Sequence, residues 1–177
     1  LIAAGRARLA VQPEAADVAV NWLEADLATA DLAPVLEGAD LVHFTALIDL
    51  AGRAWLDDLA GALVRAGAPV LGALTWDGRM VWDPAAATDA DAVAGFARHQ
   101  RRDKGLGGPA LGPDAAPYFA EALRRHGFEV TLARSDWGIG PDHPAMHQAM
   151  VDGVAGALVD LVDGGEAPAG LVADFRA

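Results

Sequence analysis

No cysteine occurs in the 177 residues, which excludes disulfides and thiolate metal sites. Lysine is almost missing too: Lys104 stands alone against twelve arginines. With abundant Ala, Gly and Asp, this pattern points to GC-rich coding, so the scarcity reflects codon bias as much as chemistry. Basic charge as a whole is short, with 13 basic and 25 acidic residues for a net charge of −12. That balance argues against a nucleic-acid backbone as the main partner. No apolar run approaches the roughly eighteen residues of a membrane span, and no signal peptide is visible. The expected compartment is therefore the cytoplasm, with no membrane partner. What is present is a globular composition: 53% apolar and 21% charged, enough for a single domain over residues 1–177 with a sizeable core. Residue 1 is Leu and begins inside a helical pattern, so the chain reads as a piece of a longer product.

The stretch from Ala39 to Trp76 organises the rest. Leu41–Ala46 is a short, mostly apolar run bounded by Gly38 and Asp40, which predicts a buried strand. Leu56, Leu59, Leu63 and Val64 then recur at helical spacing, with Asp57, Asp58 and Arg65 opposite. Gly67 stops that helix, and Pro69 leads into a second buried run, Val70–Thr75. Strand, helix, strand in this order predicts a βαβ crossover with parallel strands and helices covering the sheet. Ligands in such sheets bind beyond the carboxyl ends of the strands, which directs attention to Thr45–Asp49.

Elsewhere Leu1–Ala10 predicts a helix, Gln12–Ala16 a connection, Val18–Glu24 a strand and Asp31–Glu37 a short helix stopped by Gly38. Asp77-Gly78 is a hairpin signal, with Arg79–Trp82 as the returning strand. Thr88 is placed to cap a helix carrying Val93 and Phe96. Gly105–Pro113 is a glycine- and proline-rich break. Asp114 starts a helix that ends at Gly127, Phe128–Ala133 alternates like a strand, and Ala145–Val162 reads as a long helix. A last helix begins near Ala169.

Several residues carry two readings. Asp26 directly follows a predicted strand and fits either a cap or a ligand contact. Asp49 fits the substrate side of a cleft or a cap for the Arg53 helix. His99 and Asp103 are four apart and would share a helix face if the helix persists, making an imidazole–carboxylate general base. Alternatively they belong to a solvated helix end with Arg101, Arg102 and Lys104 beside the negative pole of the dipole. His143 and His147 have metal-ligand spacing but no third ligand, so no metal is expected. His43 reads as an interior histidine. Trp137 sits in a loop, where it stacks on a ligand or simply packs. Gly105-Leu106-Gly107-Gly108 lacks the strand-before, helix-after context of a phosphate loop.

The order of Glu24-Ala25-Asp26, TALIDL ending a strand, AWLDDLA on a helix, Ala73–Arg79, His99–Gly105 and Ser135-Asp136-Trp137 resembles the class I S-adenosylmethionine-dependent methyltransferases, particularly bacterial small-molecule types. The resemblance covers most of the chain. It implies a three-layer, doubly wound, mostly parallel Rossmann-like sheet, incomplete at both ends, since the glycine-rich first strand-loop and the ribose-binding acid are not here. It further implies that Asp26 meets the adenine amino group and that Leu27 supplies a backbone amide and an apolar wall. Thr45, Ala46 and Leu47 would line the cofactor's methionine part. His99 and Asp103 would be catalytic, and Asp49, Lys104 and Trp137 would face a small-molecule acceptor. Competing readings are a non-catalytic interaction domain of the same fold, or another α/β nucleotide binder such as a reductase, for which no GxGxxG is present. An open sheet edge would also favour a homodimer.

Overall fold

In chain order the helices are α1 Ile2–Leu9, α2 Ala33–Leu36, α3 Arg53–Ala66, α4 Asp89–Gln100, α5 Ala115–Arg125, α6 Pro144–Asp163 and α7 Leu171–Arg176, with strands β1 Val42–Thr45 and β2 Val70–Ala73 flanking α3. The computed structural model describes residues 2–11 and 18–176; the connection read at Gln12–Ala16 lies outside the described residues. The two strands pair in parallel, Val42 opposite Val70 and Thr45 opposite Ala73. Parallel neighbours need a crossover, and α3 supplies it, so the central βαβ unit is as the sequence predicts. The class is α/β, with one two-stranded parallel sheet among the described residues.

Each end of α3 has a local cause. Its apolar stripe, Leu56, Leu59 and Leu63, is buried together with Trp55. Arg65 sits in the last turn, where the dipole favours a cation. Gly67 then takes a left-handed φ of 66°, and its N–H bonds the Leu63 carbonyl at 3.0 Å. Helix α5 packs across α3, and its Phe119 meets Phe44 of β1 edge-on at 5.9 Å between ring centres. These residues form the main core. The helices cover the face of the sheet that carries Phe44. The other face is bare: His43, Thr45 and Leu71 are exposed. His43 is thus an outward-facing residue and not the interior histidine its apolar neighbours suggested, because a strand with one covered face exposes alternate positions.

A second apolar cluster lies apart from the first. Val154, Leu158 and Leu161 of α6 bury themselves with Ala92 of α4, and Phe96, Trp82, Leu171 and Phe175 close around them. The helices approach closely at Gly95, where a Cβ would lie 2.5 Å from Leu158 Cδ2. Leu158 is fully buried; Leu158→Ala should cost about 2–5 kcal/mol in a urea melt, and an unchanged midpoint would show that this cluster adds nothing to stability.

Three predicted strands are corrected, since none of these segments joins a ladder. Val18–Glu24 has no regular structure, and Val18, Val20 and Leu23 are exposed, because strand propensity without a partner strand leaves backbone groups to water. Arg79–Trp82 does not return as a hairpin strand: the Asp77 carboxylate accepts the Arg79 N–H at 3.1 Å, and Met80 and Trp82 turn into the helical cluster. Phe128–Ala133 does bury alternate residues, Phe128 and Val130, against the main core. The Val130 carbonyl, however, accepts a hydrogen bond from the Arg124 guanidinium at 2.9 Å, which replaces a ladder bond. Thr88 precedes α4 without capping it; its hydroxyl donates to the Asp174 carbonyl at 3.3 Å.

By contact the chain falls into two compact units, residues up to Ala30 and residues from Asp31 on. In the first, Trp22 lies over Gly5 of α1, where a Cβ would meet the indole at 2.6 Å.

Candidate functional site

The carboxyl ends of β1 and β2 are the place to build from. Both strands stop at a non-glycine residue in the left-handed region, Ala46 with φ 49° and Leu74 with φ 55°. Such backbone costs about 1–2 kcal/mol per residue and concentrates where ligands are clamped. The two ends stay joined, since Ala46 N–H donates to the Ala73 carbonyl at 3.2 Å. Thr45 and Ala46 are exposed, Leu47 is half-buried against the core and Asp49 is buried.

Asp49 lies in a single 3-10 turn, Ile48–Leu50, between β1 and α3. It is only 8% exposed, and its Oδ1 has no hydrogen-bond partner among the described residues. Burial pushes its carboxyl above the usual carboxylate value, with its own backbone N–H pulling part of the way back. It does not cap α3: the N-cap is Gly52, with no side-chain bond.

The glycine-rich segment straps over this corner. Gly52 N–H donates to the Leu106 carbonyl at 2.7 Å, and Leu111 N–H to the Ala51 carbonyl at 2.9 Å. The backbones touch: a Cβ on Gly52 would lie 2.3 Å from the Gly107 carbonyl oxygen. The strap ends in a second 3-10 turn, Gly112–Asp114, which packs on the Ile48–Leu50 turn.

The remaining sequence-predicted residues divide. Helix α4 ends at Gln100, so His99 and Asp103 do not share its face. His99 Nε2 instead meets Asp160 Oδ2 of α6 at 3.0 Å, and the Asp103 carboxylate accepts the Gly105 N–H at 2.7 Å. Lys104 is half-buried in the strap. Asp26 closes its own turn, accepting the Ala28 N–H at 3.0 Å; Leu27 is 38% exposed. Trp137 is 55% exposed. Two motifs read separately do meet: the Arg79 guanidinium bonds Asp77 at 2.5 Å and Asp136 at 2.8 Å. Although partial burial alone would raise the Asp77 carboxyl, the bonds and charge of Arg79 outweigh it and hold it below the usual range. His143 bonds Asp142 at 3.1 Å, and no three potential ligands cluster around a metal position among the described residues.

Sequence reasoning missed Trp76 and Gln100. Trp76 Nε1 and Gln100 Oε1 are buried without a partner among the described residues, as are Asp49 Oδ1 and His99 Nδ1. Asp49 carried a signal, an acid between Ile48 and Leu50 just past a strand; Trp76 and Gln100 carried none.

No helix among the described residues is long and apolar enough to cross a membrane. Comparison of the chain with protein-family models, with curated proteins and with solved structures finds no match.

Proposed function

We propose that the chain is an S-adenosylmethionine-dependent methyltransferase domain acting on a small-molecule acceptor, built on a doubly wound, three-layer sheet of which the βαβ unit is the centre. The observation that carries this reading is the corner itself: two parallel strands end side by side in strained residues, Ala46 and Leu74, next to a buried acid. In parallel α/β sheets that edge is where ligands sit. The residues there fit the cofactor's methionine part, because Thr45 and Ala46 are small and exposed. Leu47, half-buried against the core, would add an apolar wall. When bound, the cofactor supplies a methyl group already activated by its sulfonium, so the protein's tasks are positioning and removal of a proton.

His99 and Asp103 act separately on this reading. His99 is held toward α6 by Asp160, and Asp103 shapes the strap around Gly105. Lys104 and Trp137 would serve the acceptor, and a second copy would add along an unpaired strand edge in the cytoplasm. A non-catalytic interaction domain is the alternative, favoured by the bare sheet face with Leu71 51% exposed. Calorimetry with S-adenosylmethionine separates the two. Binding should give a measurable heat. No heat of binding at millimolar cofactor would leave the interaction domain standing.

A further inference from the structure

Three of the buried polar atoms without a partner among the described residues belong to segments that share one neighbour. Asp49 is in the 3-10 turn that packs on the Gly112–Asp114 turn. Gln100 ends α4, and a Cβ on Gly112 would lie 3.8 Å from its Cβ. Trp76 precedes Gly78, where a Cβ would lie 3.0 Å from Pro113 Cβ, and its ring meets Phe96, one turn before Gln100, at 4.9 Å. The fourth atom, His99 Nδ1, sits on a ring already directed to Asp160 of α6 and is left out. One orphan buried group is common enough; three on the segments around one turn is a pattern. Each leaves a desolvated group unpaired, which is unfavourable until a partner arrives.

We propose that Asp49, Trp76 and Gln100 form a hydrogen-bonding socket that reads an uncharged carboxamide- or urea-type group of the acceptor molecule. The donor and acceptor count selects that chemistry. Trp76 Nε1–H can only donate, and Gln100 Oε1 can only accept. The Asp49 carboxylate also accepts. The complementary group therefore offers one acceptor and two donors, the set that a primary amide carries in its plane as one carbonyl oxygen and two N–H groups. A carboxylate has no donor and is repelled by Asp49. An ammonium has no acceptor and leaves Trp76 unpaired. The three atoms are buried, so the ligand enters by lifting the strap, whose ties next to Asp49 are the Gly52–Leu106 and Leu111–Ala51 backbone bonds.

The proposal rests on reading this edge as the acceptor site, yet its test needs no methyl donor. The indole N–H resonances of 15N-labelled protein are followed while benzamide, benzoate or benzylamine is added, with Trp76 assigned by Trp76→Phe. Benzamide should shift the Trp76 signal at millimolar concentration, and Gln100→Leu should weaken that binding about tenfold. Benzoate and benzylamine should leave the signal in place. No shift with benzamide, equal shifts with all three, or unaltered affinity in a folded Gln100→Leu protein would each overturn the socket. Benzamide binding in a protein that ignores S-adenosylmethionine would keep the socket and remove the methyltransferase reading; the reverse result would do the opposite.

Discussion

Gly107→Ala should lower the stability of the fold by about 2–5 kcal/mol, from about 1–2 for the left-handed backbone and about 1–3 for overpacking. Gly107 has a φ of 75°, and an added Cβ would lie 2.7 Å from the Trp55 backbone nitrogen and 2.8 Å from Trp55 Cβ. Neither neighbour can retreat, because Trp55 is in the first turn of α3 and part of the main core. Gly108→Ala is the internal control. Its φ is 95°, yet a Cβ there meets nothing within 4 Å, so only the backbone part, about 1–2 kcal/mol, should be lost. Urea midpoints of the two variants give the difference directly. Equal losses would mean that the strap does not lie against α3 as described.

Asp49→Asn should stabilise the protein at neutral pH by about 1–3 kcal/mol, the desolvation cost of an unpaired buried group, and the gain should vanish in acid. Burial holds the folded-state carboxyl above its ordinary value of 3.8, so the folded chain binds this proton more tightly than the unfolded one. Stability is then fully retained below the unfolded value and is lost as pH rises through the higher folded value. Asparagine has no proton to lose, so the variant stays level where the parent declines. Thermal melts between pH 3 and pH 8 check this. A variant less stable than the parent at pH 7 would show that Asp49 holds a structural contact and is not kept in spite of its cost.

What the sequence made legible was local. Leu56, Leu59 and Leu63 recur along one helix face, Gly67 ends it, and two apolar runs flank it, all within reach of period and punctuation. The lost strands failed for a common reason: a run of strand-forming residues does not report whether a neighbouring backbone accepts the hydrogen bonds. Phe128 and Val130 are covered as predicted, while Arg124 takes the carbonyl. The candidate site was half legible. Thr45–Asp49 follows from the rule about strand ends, and Asp49 did prove buried. The partner of His99 is Asp160, on another helix, and no spacing rule reaches that far. The approach of Gly52 to Gly107 was equally hidden, since a glycine's missing side chain matters only once its neighbour is known.

The two apolar clusters have no buried residue in common. Such a division gives the native state separate foldons, and the weaker can open while the stronger holds. The clamp of α4 against α6 carries Gln100 and, through Phe96, the ring of Trp76. A partial melting of that helical layer would thus loosen α4 and the ring of Trp76 while β1, α3 and β2 keep their register, a local opening that stops short of the denatured ensemble.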